Sequence, residues 1–434
     1  MSPALPIHPI GHPLNARVLV PGSKSLTNRA LLIAALAEGR TRLTNALFSD
    51  DSRYFAGALQ ALGFEVQLDA QRAEMTVNGM GGHIPASQAR LFIGNAGTAA
   101  RFLSAFLTLG TGEYILDGDA RMRERPIGDL VHALEQLGAT ARPVDQQPAN
   151  KGQQVASLPI KIMASGLPGG HAFIAGDISS QFLSALLMVG PYAQAPIELE
   201  LSTELNSKPY VDMTLAVMRE FGVEVQRVGY ERFMIRQGRY QVRPSYAIES
   251  DASAASYFFA APALLGGHVR VENISRHSLQ GDIAFLQVLE QMGCTVSEAS
   301  ASIEVTGPAV LSGVDVDMRD IPDTAQTLAA IAPFAVGPTR IRGIASARVK
   351  ETDRIAAMCA ELKRLGVEVE EHADGLTIQP CPSLCPATVQ TYNDHRMAMA
   401  FALVGLRAPG VEIENPGCVS KTFPAYFEVL GELR

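Results

Sequence analysis

The amino-acid sequence predicts an α/β fold in which six similar units are divided between two domains. Three observations lead to this prediction. The chain of 434 residues is long enough for two or three domains of about 150 residues each. A short glycine-containing motif recurs six times along the chain, and six apolar helical stretches recur in step with it. Regular recurrence of this kind is typical of repeated structural units.

The glycine-containing motif is apolar-x-x-apolar-Gly, usually followed by a run of β-forming residues. Two apolar residues three positions apart and then a glycine are typical of a helix that ends in a left-handed turn. After one copy, residues 367–370 and 376–378 flank Asp374-Gly375, which predicts a β-hairpin. The six copies end at Gly63, Gly138, Gly222, Gly293, Gly366 and Gly431.

The six apolar stretches each begin with a polar cluster and are apolar on nearly all sides, so we expect them to be buried helices. The clusters lie at positions 24, 97, 180, 251, 323 and 395, which are 73, 83, 71, 72 and 72 residues apart. A helix N-terminus presents free N–H groups that suit phosphate or carboxylate. Ordinary helix capping is the alternative interpretation, and it is the favoured one for Ser250-Asp251.

The sixth unit has no strands after Gly431. We expect the N-terminal segment, in which residues 16–20 are typical of a strand, to supply them, so that both termini share a domain. A solenoid is the alternative architecture, but the chain has no atypical terminal repeats. The predicted domains are residues 1–22 with 245–434, and residues 23–244, with crossover segments near 21–23 and 243–245.

The charge balance argues against some classes of partner. The chain has 36 Lys and Arg against 44 Asp and Glu, a formal net charge of -8. Nucleic acids and anionic membranes are bound by an excess of positive charge, so neither is expected as a partner. An anionic small molecule would therefore need a local cluster of cations.

The cysteines and the apolar segments argue against further classes. Five cysteines, all between residues 294 and 418, fit neither a disulfide framework nor a zinc site. Residues 1–15 lack the basic and apolar regions of a signal peptide. The longest uncharged stretch, 178–197, contains Ser, Gln and Pro and is too polar to span a membrane. These features predict a cytoplasmic protein with no metal.

Two cations begin the first apolar helix. Lys24 and Arg29 lie in its first turns, where positive charge opposes the helix dipole, and such local conflicts more often mark a site than a stabilising feature. The segment lacks the Gly-Lys-Ser/Thr junction of a P-loop. The alternative for Arg29 is a half-exposed helix from which its side chain reaches solvent.

Further cations lie near other predicted helix N-termini. Residues 94–101 form a glycine-bearing loop that leads into a helix and ends on Arg101. Arg121, Arg123 and Arg125 lie within five residues, and arginine suits phosphate and carboxylate, although a solvated charge run is the alternative. The remaining candidates are Asp394-His395-Arg396, for which capping and a structural role are the alternatives, and Lys421.

The segment 350–354 combines acids and bases. Lys350 and Arg354 are four residues apart, which would place them on one face of a helix that runs to Leu365. Glu351 or Asp353 beside these cations would be a candidate acid or base. The alternative is an ordinary charged surface turn.

Nine motifs, spread over essentially the whole chain, together resemble the EPSP (5-enolpyruvylshikimate-3-phosphate) synthase family and follow its order. The resemblance implies two similar domains, each of three βαβαββ units around buried parallel helices, an inside-out α/β barrel. It also implies that both termini share a domain and that the active site lies in the interdomain cleft. The motifs are PGSKSLTNRALL (21–32), GNAGTAAR (94–101), RMRERPIGDL (121–130), ISSQFLSALLM (178–188), SKPYVDMTL (207–215), IPDTAQTLA (321–329), RVKETDRI (348–355), NDHRMAMAFAL (393–403) and SKTFPAYF (420–427).

The resemblance implies an activity as well. The family transfers the enolpyruvyl group of phosphoenolpyruvate to the 5-hydroxyl of shikimate-3-phosphate and releases phosphate, in the shikimate pathway to chorismate and the aromatic amino acids. It uses no metal or organic cofactor, and glyphosate inhibits it at the phosphoenolpyruvate site. We expect the same transferase reaction here, carried out by a monomer whose partners are these two small molecules.

By the same resemblance, Asp323 would be the base that deprotonates the 5-hydroxyl, and Glu351 the acid that protonates the enol methylene, with Lys24 assisting. The residues expected to bind phosphoenolpyruvate are Lys24, Gly97, Arg125, Gln181, Arg354, Arg396 and Lys421. Those expected to bind shikimate-3-phosphate are Lys24, Ser25, Arg29, Ser179, Ser180, Gln181, Ser207, Tyr210, Asp323, Ser346 and Lys350.

Two related enzyme families and a binding protein are the alternatives. A UDP-N-acetylglucosamine enolpyruvyltransferase would have a reactive cysteine near residues 121–125, but the first cysteine is Cys294. An RNA 3′-phosphate cyclase would have a basic surface rather than a net charge of -8. A non-catalytic anion-binding protein would not require Asp323 and Glu351, and it would release no phosphate from the two substrates.

Two positions depart from the pattern of the enterobacterial and plant members of the family. Ser346 stands where they have asparagine, so the side chain available for a hydroxyl contact at this position is shorter. Phe102 stands where they have proline after Arg101. Because proline presets an early helical turn, its loss is expected to shift the helix that carries Gly97 and Thr98.

We therefore predict that glyphosate sensitivity differs from that of those members. The measurement is the inhibition curve of the wild-type chain beside that of a Phe102→Pro variant. Superimposable curves would contradict the prediction.

Overall fold

The computed structural model describes residues 3–144 and 157–433. The chain divides into two compact units. One, here called the terminal unit, comprises Met1–Pro21 and Glu249–Arg434, and the other, the central unit, comprises Gly22–Ile248.

Short strands and helices alternate along the described residues. The strands are β1 (Leu5–Ile7), β2 (Leu14–Leu19), β3 (Glu38–Thr44), β4 (Glu65–Asp69), β5 (Glu74–Met80), β6 (Gln88–Phe92), β7 (Thr111–Asp117), β8 (Thr140–Pro143), β9 (Ile160–Ser165), β10 (Gly170–Ile174), β11 (Ile197–Leu201), β12 (Gln226–Val228), β13 (Arg232–Ile235), β14 (Ser245–Ala247), β15 (Gly267–Glu272), β16 (Thr295–Ala299), β17 (Ser302–Thr306), β18 (Asp315–Asp317), β19 (Thr339–Arg342), β20 (Val369–His372), β21 (Gly375–Ile378), β22 (Ala387–Val389) and β23 (Val411–Ile413).

The helices lie between these strands. The α-helices are α1 (Lys24–Leu36), α2 (Asp50–Ala61), α3 (Gly97–Leu107), α4 (Gly128–Gln136), α5 (Ser180–Val189), α6 (Lys208–Glu220), α7 (Ala252–Leu265), α8 (Phe285–Gln291), α9 (Ala325–Ile331), α10 (Arg354–Arg364), α11 (His395–Arg407) and α12 (Tyr426–Gly431). Short 3-10 helices lie at Gly190–Tyr192, Gly281–Ala284, Pro322–Thr324, Ala332–Phe334, Ala345–Val349 and Pro416–Lys421.

Five four-stranded sheets share one topology. In the second repeat β6 pairs in parallel with β7, β7 pairs antiparallel with β9, and β9 pairs antiparallel with β8. Parallel neighbours need a crossover, which α3 supplies between β6 and β7, so the repeat is a βαβαββ unit. The other four sheets have the orders β10-β11-β13-β12, β14-β3-β5-β4, β2-β15-β17-β16 and β18-β19-β21-β20. These repeats confirm the predicted fold class.

The sixth repeat has a smaller sheet, which the N-terminus completes. β22 pairs in parallel with β23, and β1 pairs antiparallel with β23, with Leu5 opposite Ile413. The predicted strand at residues 16–20 belongs elsewhere, because β2 pairs in parallel with β15 along its whole length. The prediction that residues 16–20 complete the sixth unit is therefore wrong, and the preceding strand does so.

The unit boundaries differ from the predicted ones. The first lies at 21/22 rather than 22/23, and the second at 248/249 rather than 244/245. The second shift has a clear cause, because β14 pairs in parallel with β3 of the central unit, with Tyr246 opposite Leu43. Each crossing lies between a strand and the helix after it, so β2 of the fourth repeat leads into α1 of the first, and β14 of the first leads into α7 of the fourth.

Three apolar helices lie inside each unit. α1, α3 and α5 contact one another in the central unit, and α7, α9 and α11 do so in the terminal unit. All of α3 is buried, as are residues 26–36 of α1 and 395–406 of α11. The helices after the second strand of a repeat, such as α2, bury one face only. The prediction that the six apolar stretches are buried is confirmed.

The motif glycines mark the ends of the one-sided helices. In five copies the glycine adopts the left-handed region, with φ from +84° to +101° at Gly63, Gly138, Gly222, Gly293 and Gly366. Gly431 differs, because it is the last residue of α12, so the prediction is wrong at that copy. The hairpin predicted around Asp374-Gly375 is confirmed by β20 and β21, with His372 opposite Gly375.

We predict that Gly79→Ala destabilises the central unit by about 2–3 kcal/mol or more, because the new methyl group would overpack against backbone. A Cβ at Gly79 would lie 2.0 Å from the carbonyl oxygen of Ala34 and 2.2 Å from that of Ala37. The control is Gly57→Ala in α2, where nothing lies within 4 Å and alanine should stabilise the helix by about 1 kcal/mol. Urea unfolding measures both, and equal midpoints for the two variants would contradict the prediction.

Candidate active site

The predicted polar clusters do lie at the N-termini of the inner helices. Ser23 and Ser179 cap α1 and α5, and Asp251 and Asp394 cap α7 and α11, each accepting a backbone N–H of the first turn. Ordinary capping, favoured for Ser250-Asp251, is confirmed there by a 2.9 Å bond from the Ala254 N–H to Asp251. Capping therefore accounts for part of four of the six clusters, whereas α3 and α9 have no side-chain cap. The charged side chains beside the caps need a separate explanation.

Arg29 is the most deeply buried cation of the central unit, with 1% of its surface exposed. Its Nε donates to the hydroxyl of Thr214 at 2.7 Å and its Nη1 to the carbonyl of Ser25 at 3.0 Å. Its Nη2 donates to the carbonyl of Tyr210 at 3.0 Å and to the hydroxyl of Ser184 at 3.4 Å. The alternative of a half-exposed, solvent-reaching Arg29 is wrong.

The surroundings of Arg29 suit an anionic ligand. Burial lowers the pKa of its guanidinium to about 10, since the charged form loses hydration that these neutral oxygens replace incompletely. A phosphate or carboxylate would compensate that charge directly. Arg29 also brings together two other predicted residues, because the Ser25 and Tyr210 carbonyls both accept from it.

Gly97 and Arg125 meet at the N-terminus of α3. A Cβ at Gly97 would lie 2.5 Å from Nη2 of Arg125, so a glycine is what allows the guanidinium to reach this helix end. Arg125 is 5% exposed, and its Nη1 donates to the side-chain oxygen of Asn95 at 3.0 Å. A cation, a helix N-terminus and free backbone N–H groups together suit an anion.

The other two arginines of the 121–125 segment have a different role. Arg123 donates to both oxygens of Asp117, at 2.9 and 2.7 Å, and these bonds lower the pKa of that carboxyl. Arg121 pairs with Glu124 at 2.8 Å on the surface. The solvated-charge interpretation therefore fits these two arginines, and Arg125 is the buried one.

Lys24 and Gln181 complete the central set. Lys24 is the first residue of α1, and its Nζ lies 3.4 Å from Oδ2 of the buried Asp51. Gln181, in the first turn of α5, donates from Nε2 to the hydroxyl of Thr98 at 3.4 Å, which places the N-termini of α3 and α5 side by side.

Ser207 lies directly before α6 in the left-handed region, with φ of +59°. A non-glycine residue in this region is uncommon and costs about 1 kcal/mol or more, and such residues cluster at functional sites. The following turn carries Tyr210, whose backbone N–H donates to the Ser207 carbonyl at 3.1 Å. Ser207 is 7% exposed, so its position is fixed by burial.

In the terminal unit, Arg354 is the centre of a buried cluster of charges. Its Nη1 contacts Oδ1 of Asp323 and its Nη2 contacts Oε2 of Glu351, both at 2.9 Å. Its Nε contacts Oδ2 of Asp394 at 2.8 Å. The candidate base Asp323 and the candidate acid Glu351 therefore pair with the two terminal nitrogens of one guanidinium group.

Two further predicted cations join this cluster. Nη2 of Arg396 lies 2.8 Å from Oδ2 of Asp323, and Nζ of Lys421 lies 3.8 Å from Oε1 of Glu351. Burial lowers the pKa of Arg354, but the charges of the surrounding carboxylates more than offset it and hold that pKa above its ordinary value. Arg354 is therefore a fixed positive charge in a site where carboxylates already compensate it.

The prediction that Lys350 and Arg354 lie on one face of a helix is wrong. The helix begins at Arg354, because Asp353 caps it by accepting the Ala356 N–H at 3.0 Å. Lys350 and Glu351 thus precede the helix, and the bend returns the Glu351 carboxylate to Arg354. Ser346 is half-buried in the 3-10 helix just before Lys350.

Asp394 and His395 open α11, and both are fully buried. Asp394 accepts the backbone N–H of Arg396 at 2.8 Å while it holds Arg354, so it caps a helix and anchors a cation at once. Nδ1 of His395 lies 3.6 Å from Oδ1 of Asp394. The capping interpretation is confirmed for Asp394, which also belongs to the charge cluster.

Asp282 is a buried carboxyl that the sequence did not indicate. It lies in the 3-10 helix before α8 and accepts a hydrogen bond from the hydroxyl of Ser253, in the first turn of α7. Burial, and then the charge of Asp323, raises its pKa to about 6, while Arg396 opposes the shift. Residue 282 lies outside the six polar clusters that precede the inner helices, so the repeat gave no signal for it.

The described residues contain no group of three or more acidic, His or Cys side chains arranged to hold a metal ion. Within the same residues, no helix is long and apolar enough to cross a membrane.

We predict that the Asp282→Asn variant has a different pH dependence of stability. The raised pKa means that folding favours the protonated carboxyl, so its contribution is present below pH about 4 and is lost as the pH rises through about 6. Asparagine does not titrate. The free energy of unfolding of the wild type should fall by about 2 kcal/mol relative to the variant between pH 4 and 7. Urea unfolding at each pH measures this, and parallel pH profiles would rule out the shift.

Comparisons with known proteins show the family of the chain. The sequence model of the family described as EPSP synthase (3-phosphoshikimate 1-carboxyvinyltransferase) matches residues 9–430. Proteins named 3-phosphoshikimate 1-carboxyvinyltransferase from Nostoc punctiforme and a Sulfurovum species are 52% and 50% identical over 419 residues, 96% of each chain. The solved EPSP synthase of Acinetobacter baumannii superposes with a TM-score of 0.80 at 26% identity, covering 99% of this chain and 98% of that one. The chain therefore belongs to the EPSP synthase family.

Proposed function

We propose that the protein transfers the enolpyruvyl group of phosphoenolpyruvate to the 5-hydroxyl of shikimate-3-phosphate and releases phosphate. The observation that carries the proposal is the buried cluster in which Arg354 holds Asp323 and Glu351 at the two ends of its fork. The names of relatives about 50% identical over almost the whole chain support the same reaction. The proposed place of the reaction is the shikimate pathway.

We propose that the central unit supplies much of the shikimate-3-phosphate site. Arg29 is a buried cation that neutral oxygens surround, and an anion would compensate it. The Ser179 and Ser180 hydroxyls lie at the N-terminus of α5, where backbone N–H groups add to the attraction for phosphate. The other residues proposed for this substrate are Lys24, Ser25, Gln181, Ser207, Tyr210, Asp323, Ser346 and Lys350.

Phosphoenolpyruvate carries a phosphate and a carboxylate, and we propose that several of the buried cations bind it. Arg125 at the N-terminus of α3 is supported by the close approach that Gly97 allows. Arg354, Arg396 and Lys421 are supported by their burial and common cluster. Lys24 and Gln181 complete the proposed set.

The proposed chemistry follows from the pairing within the terminal cluster. Asp323 accepts the proton of the 5-hydroxyl as that oxygen bonds to C2 of phosphoenolpyruvate. Glu351, which takes up a proton from solvent once the anions of the substrate occupy Arg354, donates that proton to C3 and gives a methyl group. Loss of a methyl proton to a base then expels phosphate from the tetrahedral adduct and forms the new C=C bond. Because the anions of phosphoenolpyruvate compete with Asp323 for the guanidinium groups, binding would loosen the pairs that restrain this carboxylate.

The proposed reaction needs proton transfers and anion binding only, so we propose no metal or organic cofactor. One chain carries every residue named for both substrates, which supports a monomer. The cysteines are free thiols, which suits the reducing cytoplasm.

The proposal is tested by phosphate release from the purified chain. Release should require both shikimate-3-phosphate and phosphoenolpyruvate and should yield the enolpyruvyl ether in equal amount. Release from phosphoenolpyruvate alone, or no release with both present, would overturn the proposed function.

We predict that Asp323→Asn and Glu351→Gln each lower kcat by about 10²–10⁴-fold, the usual contribution of a general acid or base. The KM for phosphoenolpyruvate should change little or fall, because each change leaves Arg354 with one carboxylate charge fewer. Steady-state kinetics measures both parameters.

The matched control is Glu361→Gln on α10. Glu361 is a buried, paired carboxylate as well, accepting from Arg364 at 3.0 Å and from the Tyr392 hydroxyl at 2.7 Å, but it has no proposed part in catalysis. Its side chain is fully buried, whereas that of Asp323 is 19% exposed. Its kcat should stay near that of the wild type. Equal losses of kcat in all three variants would refute the acid and base roles.

A further inference from the structure

The buried guanidinium of Arg29 lies against the ring of Phe102. Its Cζ is 5.3 Å from the ring centroid, and both side chains are almost fully buried. A cation within about 6 Å of an aromatic face is attracted to it, and the attraction is larger where water is excluded. The negative face of this ring therefore supplements the neutral oxygens that compensate Arg29.

The hydrogen bonds of Arg29 use four of its five N–H donors. A guanidinium has five N–H groups. Within the described residues, four of them have acceptors: the Nε–H, both N–H groups of Nη2 and one of Nη1. The second N–H of Nη1 is left over, so the orientation of the guanidinium plane decides what that single donor can reach.

Phe102 also belongs to the helix that carries the phosphoenolpyruvate-binding candidates. It follows Gly97, the first residue of α3, by five residues, which is about 7.5 Å along the helix axis. Its ring leaves the helix toward Arg29, whereas Arg125 lies against the helix start. Through Phe102, Arg29 therefore contacts the same helix at whose N-terminus phosphoenolpyruvate is proposed to bind.

We propose that Phe102 is a positioning residue, which fixes the guanidinium plane of Arg29 so that its remaining N–H is presented to an anionic oxygen of shikimate-3-phosphate. The inference rests on the proposed function and deepens it. It gives a chemical role to the aromatic residue that stands where the enterobacterial and plant members are expected to have proline, since a proline has no aromatic face. The contact does not touch the reacting atoms, so it should act on substrate binding and not on the chemical step.

The test changes the ring's charge distribution and keeps its shape. In one protein 3,4,5-trifluorophenylalanine replaces Phe102, which removes the negative ring face. In the control it replaces Phe106, a buried residue of the same helix whose ring packs on Phe64 at 5.8 Å. We expect the KM for shikimate-3-phosphate to rise about tenfold in the first protein, with kcat unchanged, and to stay unchanged in the control.

A second pair of variants gives the same comparison without synthetic amino acids. Phe102→Leu and Phe106→Leu each remove one buried ring from α3, so their losses of stability should be similar. Only Phe102→Leu should raise the KM for shikimate-3-phosphate. If the Phe102 and Phe106 variants had the same KM for shikimate-3-phosphate in both pairs, or if only kcat fell, the inference would be overturned. The proposed function would still stand in that case, provided that the wild type released phosphate. A wild type that released no phosphate would instead overturn the proposed function.

Discussion

The burial of three apolar helices inside each unit is the constraint on which the rest of the structure depends. A buried helix leaves the N–H groups of its first turn without partners, and water cannot supply them. The chain meets part of this need with the capping side chains of Ser23, Ser179, Asp251 and Asp394. What remains is a set of buried helix ends whose dipoles favour anions, and these ends hold most of the proposed site residues.

The two units compensate a buried guanidinium in opposite ways. Arg29 meets neutral oxygens and an aromatic face, and burial lowers its pKa. Arg354 meets carboxylates on three sides, and they raise its pKa. The first arrangement favours an added anion directly. In the second, an added anion must exchange with Asp323 or Glu351, which makes those carboxylates available for proton transfer.

The sequence predicted those parts of the fold that local chemistry determines. Helix burial, the left-handed glycines and the polar helix starts depend on residues within a few positions of each other, and five of the six motif glycines turn as expected. The strand at residues 16–20 was assigned to the wrong sheet because its partner, β15, lies some 250 residues away. No local pattern distinguishes these pairings.

In the candidate site, too, local features could be predicted from the sequence and tertiary contacts could not. The spacing of the three arginines does not distinguish Arg125 from Arg121 and Arg123, and only the family resemblance did so, because the burial of Arg125 depends on the space beside Gly97. The bend before Arg354 was missed because capping by Asp353 delays the helix start. Asp282 has no signal of its own, and its environment arises when α7 and a distant 3-10 helix come together. Residue types could be predicted, but their neighbours depend on tertiary structure.

The exchange of first strands between two repeats affects how the chain can fold during its synthesis. Leu5 pairs with Ile413 and Leu14 with Gly267, separations of 408 and 253 residues. β1 and β2 therefore leave the ribosome long before their partner strands are translated. The central unit is one continuous segment, Gly22–Ile248, and can assemble in the meantime. Until β23 and β15 are made, the edges of β1 and β2 stay open, and strands as short as these are less prone to pair wrongly than long apolar ones.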